Sequence, residues 1–326
     1  MRFIPQYELN IIKDDEFATR IKEVENELKA CQNEGYFETF DGNKLYYEYF
    51  LAENSTASVV IVHGLSEFTK KYYEMTYYFL NQGYNVFAFD LRCHGLSDRL
   101  TKNITYLHVK NFGDYVKDLS IFIKTIVEPA DDKPIFLYSH SMGGAIATLY
   151  LAEQNPKVKK ALVSSPLYDP VVIGGVSKRT AKGGIGAAKM FLGSRGRCKF
   201  TRDFDPDTVR REDVDSCECR FNYNMDLRRS NIRYQTSPMT WGWVYNSLLI
   251  RDMLMDPNFY STITTPILLL SSEKDRIVKN DAHAEFASKC AACQMVTVKG
   301  ANHSMLTGER RIIEEHINRT MEFFAS

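Results

Sequence analysis

The sequence lacks both an excess of one charge and any long apolar run. Its 326 residues include 41 lysines and arginines and 41 aspartates and glutamates, so no net field favours nucleic acid as a partner. No stretch reaches the roughly 20 apolar residues that a membrane span requires, and the N-terminus has no signal-peptide core. We therefore expect a cytoplasmic protein that does not bind nucleic acid.

The sequence contains few cysteines, and their number is odd. The seven cysteines are more typical of reduced thiols than of a disulfide framework. Cys217 and Cys219, and likewise Cys290 and Cys293, are spaced like half-sites for a metal, but two thiols cannot complete a tetrahedral zinc site. The sequence therefore predicts buried free cysteines, no metal and no organic cofactor.

Strand-like and helix-like segments alternate over most of the chain. This alternation predicts an α/β fold with a mostly parallel central sheet and helices on both faces. The segment 44–52 alternates like an early antiparallel edge strand. Further strands are predicted at residues 57–64, 84–92, 134–138, 158–166, 265–275 and 294–303, and helices at 70–83, 111–127, 142–154, 279–290 and 308–326.

The alternation stops between Pro166 and about Pro257, which predicts three units. They are a largely helical N-terminal extension over 1–34, an α/β core over 35–166 and 259–326, and an inserted, largely helical cap over 167–258, because so long an interruption exceeds one loop. The stretch 171–200 of the cap is glycine-rich and basic, without an acidic residue. That composition fits transient contact with lipid headgroups at a membrane surface, or a solvated helix face.

A serine-centred turn follows the apolar run at 134–138. Residues 139–144 read Ser-His-Ser-Met-Gly-Gly and lead into a predicted helix. In a nucleophile elbow, a tight turn lifts the central serine above the sheet, and the residues two before and two after it must be small. Gly143 meets this requirement, and Ser139 replaces the usual glycine. Ser141 is therefore the candidate nucleophile.

A serine hydroxyl needs a base, and that base needs a partner that fixes its tautomer. With a nucleophile elbow, the expected chain order is serine, then an acid, then a histidine. Asp275 and His303 each follow a late predicted strand, where the edge of the sheet would bring them to the turn. The competing groups are less well placed: Glu273 is nearer its strand, His283 and His316 lie in predicted helices, and His140 lies within the turn.

The oxyanion of acyl transfer needs preorganised N–H donors. The first candidate is the backbone N–H of Met142, which follows the nucleophile at a helix start. The second is the backbone N–H of Leu65, in the loop after the strand at 57–64. A simple strand-ending turn would explain His63 and Gly64 equally well.

These motifs resemble those of the α/β-hydrolase superfamily, and within it the bacterial lysophospholipase and monoacylglycerol lipase group. The similar segments include "VIVHGLSEFTKKY", "FDLRCHGLSDR", "LYSHSMGGAIATLY", "SSEKDRIV" and "KGANHSM", and the similarity extends from about Gly35 onward. The resemblance implies a serine esterase acting on single-chain lipids. It assigns the triad to Ser141, Asp275 and His303, the oxyanion donors to Leu65 and Met142, and a structural role to Arg92 and His94.

Other functions remain as alternatives. A general carboxylesterase or thioesterase would use the same triad on short soluble acyl substrates, because the cap shape sets the chain-length preference. A binding protein on this fold would usually lack a triad member. A phosphate binder would depend on "GGIGAAK", which lacks the Gly-Lys-Ser/Thr ending of a phosphate loop. The serine at position 141 disfavours relatives with an aspartate nucleophile.

The late cap segment "TWGWVYNSLLI" is a candidate for substrate binding. Trp241, Trp243 and Leu248 could lie on one face of an amphipathic helix. That face would either line the acyl site or pack the cap on the core, and the sequence favours neither.

Overall fold

A central sheet of eight strands organises the computed structural model, which describes residues 1–153, 155–172, 176–206 and 217–326. The predicted helix end at Gln154 and the cap segments 173–175 and 207–216 lie outside the described residues. The strands are β1 (Gln32–Glu38), β2 (Lys44–Phe50), β3 (Ala57–Val62), β4 (Tyr84–Phe89), β5 (Ile135–His140), β6 (Val158–Ser164), β7 (Ile267–Ser272) and β8 (Cys293–Val298).

The sheet is mostly parallel, with the strand order β1-β2-β4-β3-β5-β6-β7-β8. The β1–β2 and β2–β4 pairs are antiparallel, and all pairs from β4–β3 to β7–β8 are parallel. The prediction of a mostly parallel sheet is therefore confirmed. Because the parallel strands share one direction, the loops after β3, β5, β7 and β8 leave the same edge of the sheet.

Within the described residues, α-helices flank the sheet and alternate with loops. Short 3₁₀ turns precede α2, follow α5 and α7, and precede the last helix. The α-helices are α1 (Phe17–Cys31), α2 (Tyr73–Asn81), α3 (Gly113–Phe122), α4 (Glu128–Ala130), α5 (Met142–Tyr150), α6 (Lys178–Phe191), α7 (Glu218–Ser230), α8 (Trp241–Ser247), α9 (Ile250–Leu254), α10 (Pro257–Tyr260), α11 (Asn280–Lys289) and α12 (Arg310–Ala325).

Two apolar layers cover the two faces of the sheet. Val60 and Val62 of β3 belong to one layer, and Val59 and Ile61 of the same strand belong to the other. Successive side chains of a strand point to opposite faces, so a strand buried on both faces must be apolar throughout. This explains the uninterrupted apolar runs that predicted the central strands.

Strand β1 was missed by the sequence analysis, and it crosses the predicted boundary between residues 34 and 35. Its sequence "QNEGYFE" is polar, and Phe37 is its one fully buried side chain. An edge strand pairs on one side only, so its identity depends on the backbone ladder that it forms with β2 rather than on an apolar pattern. The division into extension, core and cap remains a prediction.

The described part of the segment 167–258 contains helices α6 to α9 and the start of α10, and it contributes no strand to the sheet. It is joined to the core by an isolated bridge between Leu107 and Met239, and by a hydrogen bond between the His108 ring and the Thr240 hydroxyl at 2.8 Å. Thr240 also caps α8 by accepting from the Trp243 N–H. None of the described helices combines the length and the apolar character needed to cross a membrane.

Candidate active site

Ser141 lies at the turn between β5 and α5 in a strained backbone conformation. Its φ is 51° and its ψ is −117°, a region that side chains other than glycine rarely adopt and that is concentrated at functional sites. Gly143 permits the turn, because a Cβ atom there would lie 2.0 Å from the Val62 carbonyl oxygen. The N-terminus of α5 thus packs directly on the end of β3.

The departure from glycine at position 139 has a structural explanation. The Ser139 side chain is fully buried, and its hydroxyl donates a 3.0 Å hydrogen bond to the Leu162 carbonyl of the neighbouring strand. The buried polar group is therefore satisfied. The turn itself is held by β6, since the Ser141 N–H donates to the Ser164 carbonyl at 2.9 Å.

The structure brings the three predicted triad residues into one chain of hydrogen bonds. The Ser141 hydroxyl lies 2.8 Å from Nε2 of His303, and Nδ1 of the same ring lies 2.7 Å from Oδ2 of Asp275. A carboxylate on Nδ1 favours the tautomer that leaves Nε2 free to accept a proton. The geometry can therefore activate a serine nucleophile, and the catalytic roles stay predictions.

Asp275 is held as a carboxylate at the end of β7. Its side chain is fully buried, and its Oδ1 accepts hydrogen bonds from the N–H groups of Ile277 at 2.8 Å and Val278 at 3.0 Å. Burial alone would raise its pKa. The hydrogen bond and the charge interaction with His303, together with the two backbone donors, outweigh burial and lower the pKa.

The loop after β3 is anchored on both sides of Gly64. The His63 ring bridges its own loop and the segment after β4: Nδ1 lies 2.8 Å from the Gly64 carbonyl oxygen, and Nε2 accepts from the Leu91 N–H at 3.0 Å. Because C=O and N–H point in opposite directions in a trans peptide, this contact fixes the orientation of the Leu65 N–H. Among the described residues, neither that N–H nor that of Met142 has a hydrogen-bond acceptor. Both stay predicted oxyanion donors.

Glu67 is a buried carboxylate beside this loop that the sequence analysis did not single out. It accepts from the Gly64 N–H at 2.6 Å, the Tyr72 hydroxyl at 2.6 Å and the Lys71 ammonium at 2.5 Å, and it lies 3.8 Å from Nε2 of His140. Burial would raise its pKa, but Lys71, His140 and these hydrogen bonds hold the pKa well below its usual range. Glu67 thus joins the loop to the residue before the candidate nucleophile.

The competing titratable groups have other partners. Glu273 accepts from the Gly300 N–H, the His283 ring binds the Ser271 hydroxyl and the Pro166 carbonyl, and the His316 ring binds the Tyr138 hydroxyl. Burial lowers the pKa of His140 to about 4. The group that the structure places on the candidate nucleophile is therefore His303.

The three cap residues predicted to bind substrate, Trp241, Trp243 and Leu248, are all buried, but their surroundings differ. Trp243 belongs to the core layer that also contains Leu254 and α3 residues, which favours a packing role. Trp241 stacks edge-on against Phe200 at 5.9 Å. Neither Trp241 nor Leu248 belongs to either core layer. A substrate-binding role for these residues stays a prediction.

The cysteine pair at the start of α7 lies beside an arginine. Among the described residues, Asp14, Cys217 and Cys219 form a group whose ligand atoms lie within 4.8 Å of one another. The Arg220 guanidinium donates to Asp14 at 2.6 Å and lies 3.4 Å from the Cys217 sulfur. The Arg220 guanidinium already binds the carboxylate and one sulfur of this cluster, so these side chains do not require a metal ion.

The fold and the site together define an α/β-hydrolase. The sheet is mostly parallel with helices on both faces, a strained serine lies at a strand–helix turn, and later strands deliver a histidine and an aspartate to it. The chain belongs to the family described as serine aminopeptidase, S33, whose model matches residues 53–311. The resemblance to the α/β-hydrolase superfamily is thereby confirmed.

Relatives and solved structures agree with this assignment. The chain is 26% identical to lysophospholipase L2 of Escherichia coli (strain K12), over 90% of this chain and 87% of the relative. It is also 26% identical to a probable lysophospholipase L2 of Haemophilus influenzae, over 86% of this chain and 88% of the relative. A crystal structure of a soluble variant of Saccharomyces cerevisiae monoglyceride lipase superimposes with a TM-score of 0.70 at 18% identity, covering 90% of this chain and 95% of that one.

Proposed function

We propose that the protein is a serine esterase that hydrolyses carboxylic esters of single-chain lipids, lysophospholipids or monoacylglycerols. The observation that carries the proposal is the hydrogen-bonded series from Asp275 through His303 to Ser141, at the edge of the sheet. Similarity over most of the chain to proteins named lysophospholipase L2 supports the substrate class.

In the acylation half-reaction, the Ser141 oxygen attacks the ester carbonyl carbon while Nε2 of His303 takes the hydroxyl proton. The carbonyl oxygen becomes an oxyanion, for which the backbone N–H groups of Leu65 and Met142 are the candidate donors. Collapse of the tetrahedral intermediate breaks the bond to the leaving alcohol, and His303 returns the proton to that alcohol. Asp275 stabilises the imidazolium in between.

Deacylation repeats these steps with water as the nucleophile. His303 takes a proton from the water, whose oxygen attacks the acyl carbon, and collapse expels the Ser141 oxygen, which regains its proton from His303. The products are a fatty acid and a glycerol-based alcohol. In this mechanism no step needs a group beyond the chain, the ester and water.

The described parts of the segment 167–258 are proposed to form a cap that determines the substrate. We expect kcat/KM on p-nitrophenyl esters, monoacylglycerols and lysophospholipids to rise with acyl length and then level off, because each buried methylene adds up to about 0.8 kcal/mol. Leu248→Ala should flatten that rise, because we expect this buried side chain to contact the acyl chain. The measurement is kcat/KM from acetyl to dodecanoyl esters.

Leu254→Ala is the matched control for this prediction, because Leu254 is equally buried but packs within the core layer. It should lower the melting temperature without changing the slope of kcat/KM against chain length. A wild-type preference for acetyl over decanoyl esters would contradict the lipid proposal and favour a general esterase of short substrates.

The cap also presents a surface suited to transient contact with a membrane. Met190, Phe191, Leu192 and Phe200 are 59–78% exposed, and the same stretch of chain is basic. Exposed apolar side chains among lysines and arginines are typical of proteins that bind the interface of anionic bilayers. We propose that this surface, called here the cap apolar surface, docks on the lipid that carries the substrate.

We expect sedimentation with vesicles of mixed phosphatidylcholine and phosphatidylglycerol to exceed that with phosphatidylcholine alone. A double variant, Phe191→Ser with Phe200→Ser, should reduce the bound fraction severalfold. Ile4→Ser removes an exposed apolar side chain outside the cap and should leave binding unchanged. Equal binding of the double variant and the wild type would contradict this use of the surface.

A cytoplasmic location remains our proposal. All seven cysteines are free thiols in the structure, and five of them are buried. Free buried thiols are characteristic of proteins kept in a reducing compartment. Fractionation of the source cells, with an antibody to the protein, tests this location.

A further inference from the structure

We propose that Arg228 binds the phosphate of the substrate headgroup, so that lysophospholipids are the lipid class this site selects. The inference rests on the proposed function and deepens it. Arg228 lies in the last turn of α7, half-buried, with its guanidinium 3.7 Å above the centre of the Phe204 ring. Most of the hydrogen-bonding capacity of this guanidinium is unused by the described residues.

A count of donors shows the unused capacity. Arg228 donates from Nε to the Tyr234 carbonyl at 3.3 Å and from Nη2 to the Thr236 carbonyl at 3.1 Å. A guanidinium carries five N–H groups, so three remain without an acceptor among the described residues. Arg99 also binds backbone carbonyls, and it makes five such hydrogen bonds. Arg228 therefore uses fewer of its donors on the described residues than Arg99 does.

Within the part of the chain that the structure describes, Arg228 also has no counter-ion. No carboxylate of the described residues lies within ion-pairing distance of it, and Glu67, the acidic group that acts on it electrostatically, already binds Gly64, Lys71 and Tyr72. Burial lowers the pKa of Arg228 to about 10, a shift that Glu67 opposes. Desolvating an unpaired cation is unfavourable, and binding an anion offsets that cost.

The position of Arg228 suits contact with the leaving group of the ester. Tyr234, whose carbonyl Arg228 binds, stacks face to face on Phe68 at 4.0 Å. Phe68 lies in the loop after β3, three residues beyond the candidate oxyanion donor Leu65. Arg228 is therefore on the cap side of the loop that would hold the ester carbonyl.

A small cavity lies between helix α7 and the elbow residue His140. Asn224, one turn earlier on the same face of α7, lines this cavity together with His140 and Glu67. The Asn224 side-chain oxygen and the Thr236 hydroxyl are both sealed from solvent and have no hydrogen-bond partner among the described residues. Buried polar groups without partners mark places where a ligand or water supplies the missing hydrogen bonds. Two polar atoms without a partner among the described residues thus lie on the helix and the turn that hold Arg228.

The two candidate lipids differ chemically in the headgroup that Arg228 would contact. In a lysophospholipid, six bonds separate the ester carbonyl carbon from phosphorus, a span of roughly 7 Å when extended. A monoacylglycerol has a neutral hydroxyl near the same place. A planar guanidinium with free N–H groups matches two phosphate oxygens and gains much less from a hydroxyl.

Selectivity between matched lipids tests the proposal. We expect Arg228→Met to lower the ratio of kcat/KM for lauroyl lysophosphatidylethanolamine to that for monolauroylglycerol at least tenfold, mainly through KM. Arg228→Lys should recover part of the ratio, because it keeps the charge and loses the planar fork. Arg229→Met is the matched control: Arg229 is the next residue, is exposed and pairs with Asp226 at 3.2 Å, so the ratio should not change.

A second measurement does not depend on lipid hydrolysis. Glycerol 3-phosphate should inhibit hydrolysis of p-nitrophenyl butyrate more strongly than glycerol does, and Arg228→Met should raise its Ki at least tenfold. If the wild type cleaves p-nitrophenyl butyrate but neither lipid, while this inhibition still depends on Arg228, the proposed lipid function fails and the anion site stands.

Three results would overturn the inference. An unchanged lipid ratio in Arg228→Met would show that the arginine does not contact the headgroup. Equal losses on both lipids, with a lowered melting temperature, would assign it a structural role in holding Tyr234 and Thr236. Inhibition by inorganic phosphate as strong as that by glycerol 3-phosphate, in a wild type without preference between the lipids, would indicate a site for free phosphate instead.

Discussion

Replacing Ser141 with alanine is expected to abolish covalent labelling by a fluorophosphonate probe and to reduce ester turnover by about ten-thousand-fold or more. The hydroxyl of this residue is the one that faces Nε2 of His303, at 2.8 Å. Alanine removes the nucleophile and leaves the strained turn otherwise in place, so the protein should remain folded. Gel fluorescence and steady-state kinetics on p-nitrophenyl butyrate measure the two effects, and circular dichroism checks the fold.

Ser139→Gly is the matched control for Ser141→Ala. It restores the glycine usual at that position and removes a hydroxyl that binds the Leu162 carbonyl, so the probe should still label it. Persistent labelling of Ser141→Ala, or an adduct mapped by mass spectrometry to Ser139, would contradict the assignment of the nucleophile.

The fold and the outline of the site could be predicted because their signals are local in sequence. The apolar run of each central strand is imposed by burial on both faces, and the elbow requires small residues at fixed positions around Ser141. Asp275 and His303 could be selected because each follows a strand, and parallel strands deliver their following loops to one edge of the sheet. These arguments need no knowledge of how distant segments pack.

The features that were missed depend on contacts between distant segments. Glu67 acquires its place through Gly64, Tyr72 and His140 together, and nothing in its own sequence neighbourhood distinguishes it from an exposed glutamate. The free donors of Arg228 become visible only when the carbonyls of the Tyr234 turn are positioned beside it. Polarity and spacing along the chain carry no information on such long-range partners.

The second large effect is expected for Asp275→Asn, which should lower kcat by about a thousand-fold to ten-thousand-fold while the protein stays folded. The structure fixes how the asparagine must sit. Oδ1 of Asp275 accepts from two backbone N–H groups, those of Ile277 and Val278, so the amide oxygen has to occupy that position. The amide NH₂ then faces Nδ1 of His303, and this donor forces the ring proton onto Nε2, where it blocks proton transfer from Ser141.

The pH dependence of the wild type follows from the same contacts. The folded-state pKa of Asp275 is lowered, so its carboxylate stays ionised as pH falls and loses its charge only below its usual titration range. Protonation of Asp275 should therefore not be the step that sets the acidic limb of the kcat/KM profile. The stability contributed by ionised Asp275 is present above its unfolded pKa and is lost as pH falls through the folded pKa. At neutral pH, melting curves of the wild type and of Asp275→Asn should therefore both show a cooperative transition.

His303→Ala should cause a loss of kcat comparable to that of Asp275→Asn, because both changes remove the acceptor for the Ser141 proton. Glu273→Gln is the matched control, since Glu273 lies two residues away and binds the Gly300 N–H rather than the imidazole, and it should retain near-full activity. A nearly fully active Asp275→Asn, together with an inactive Glu273→Gln, would transfer the role of the acid to Glu273. That result would mean that the 2.7 Å contact between Asp275 and His303 does not set the tautomer that the reaction requires.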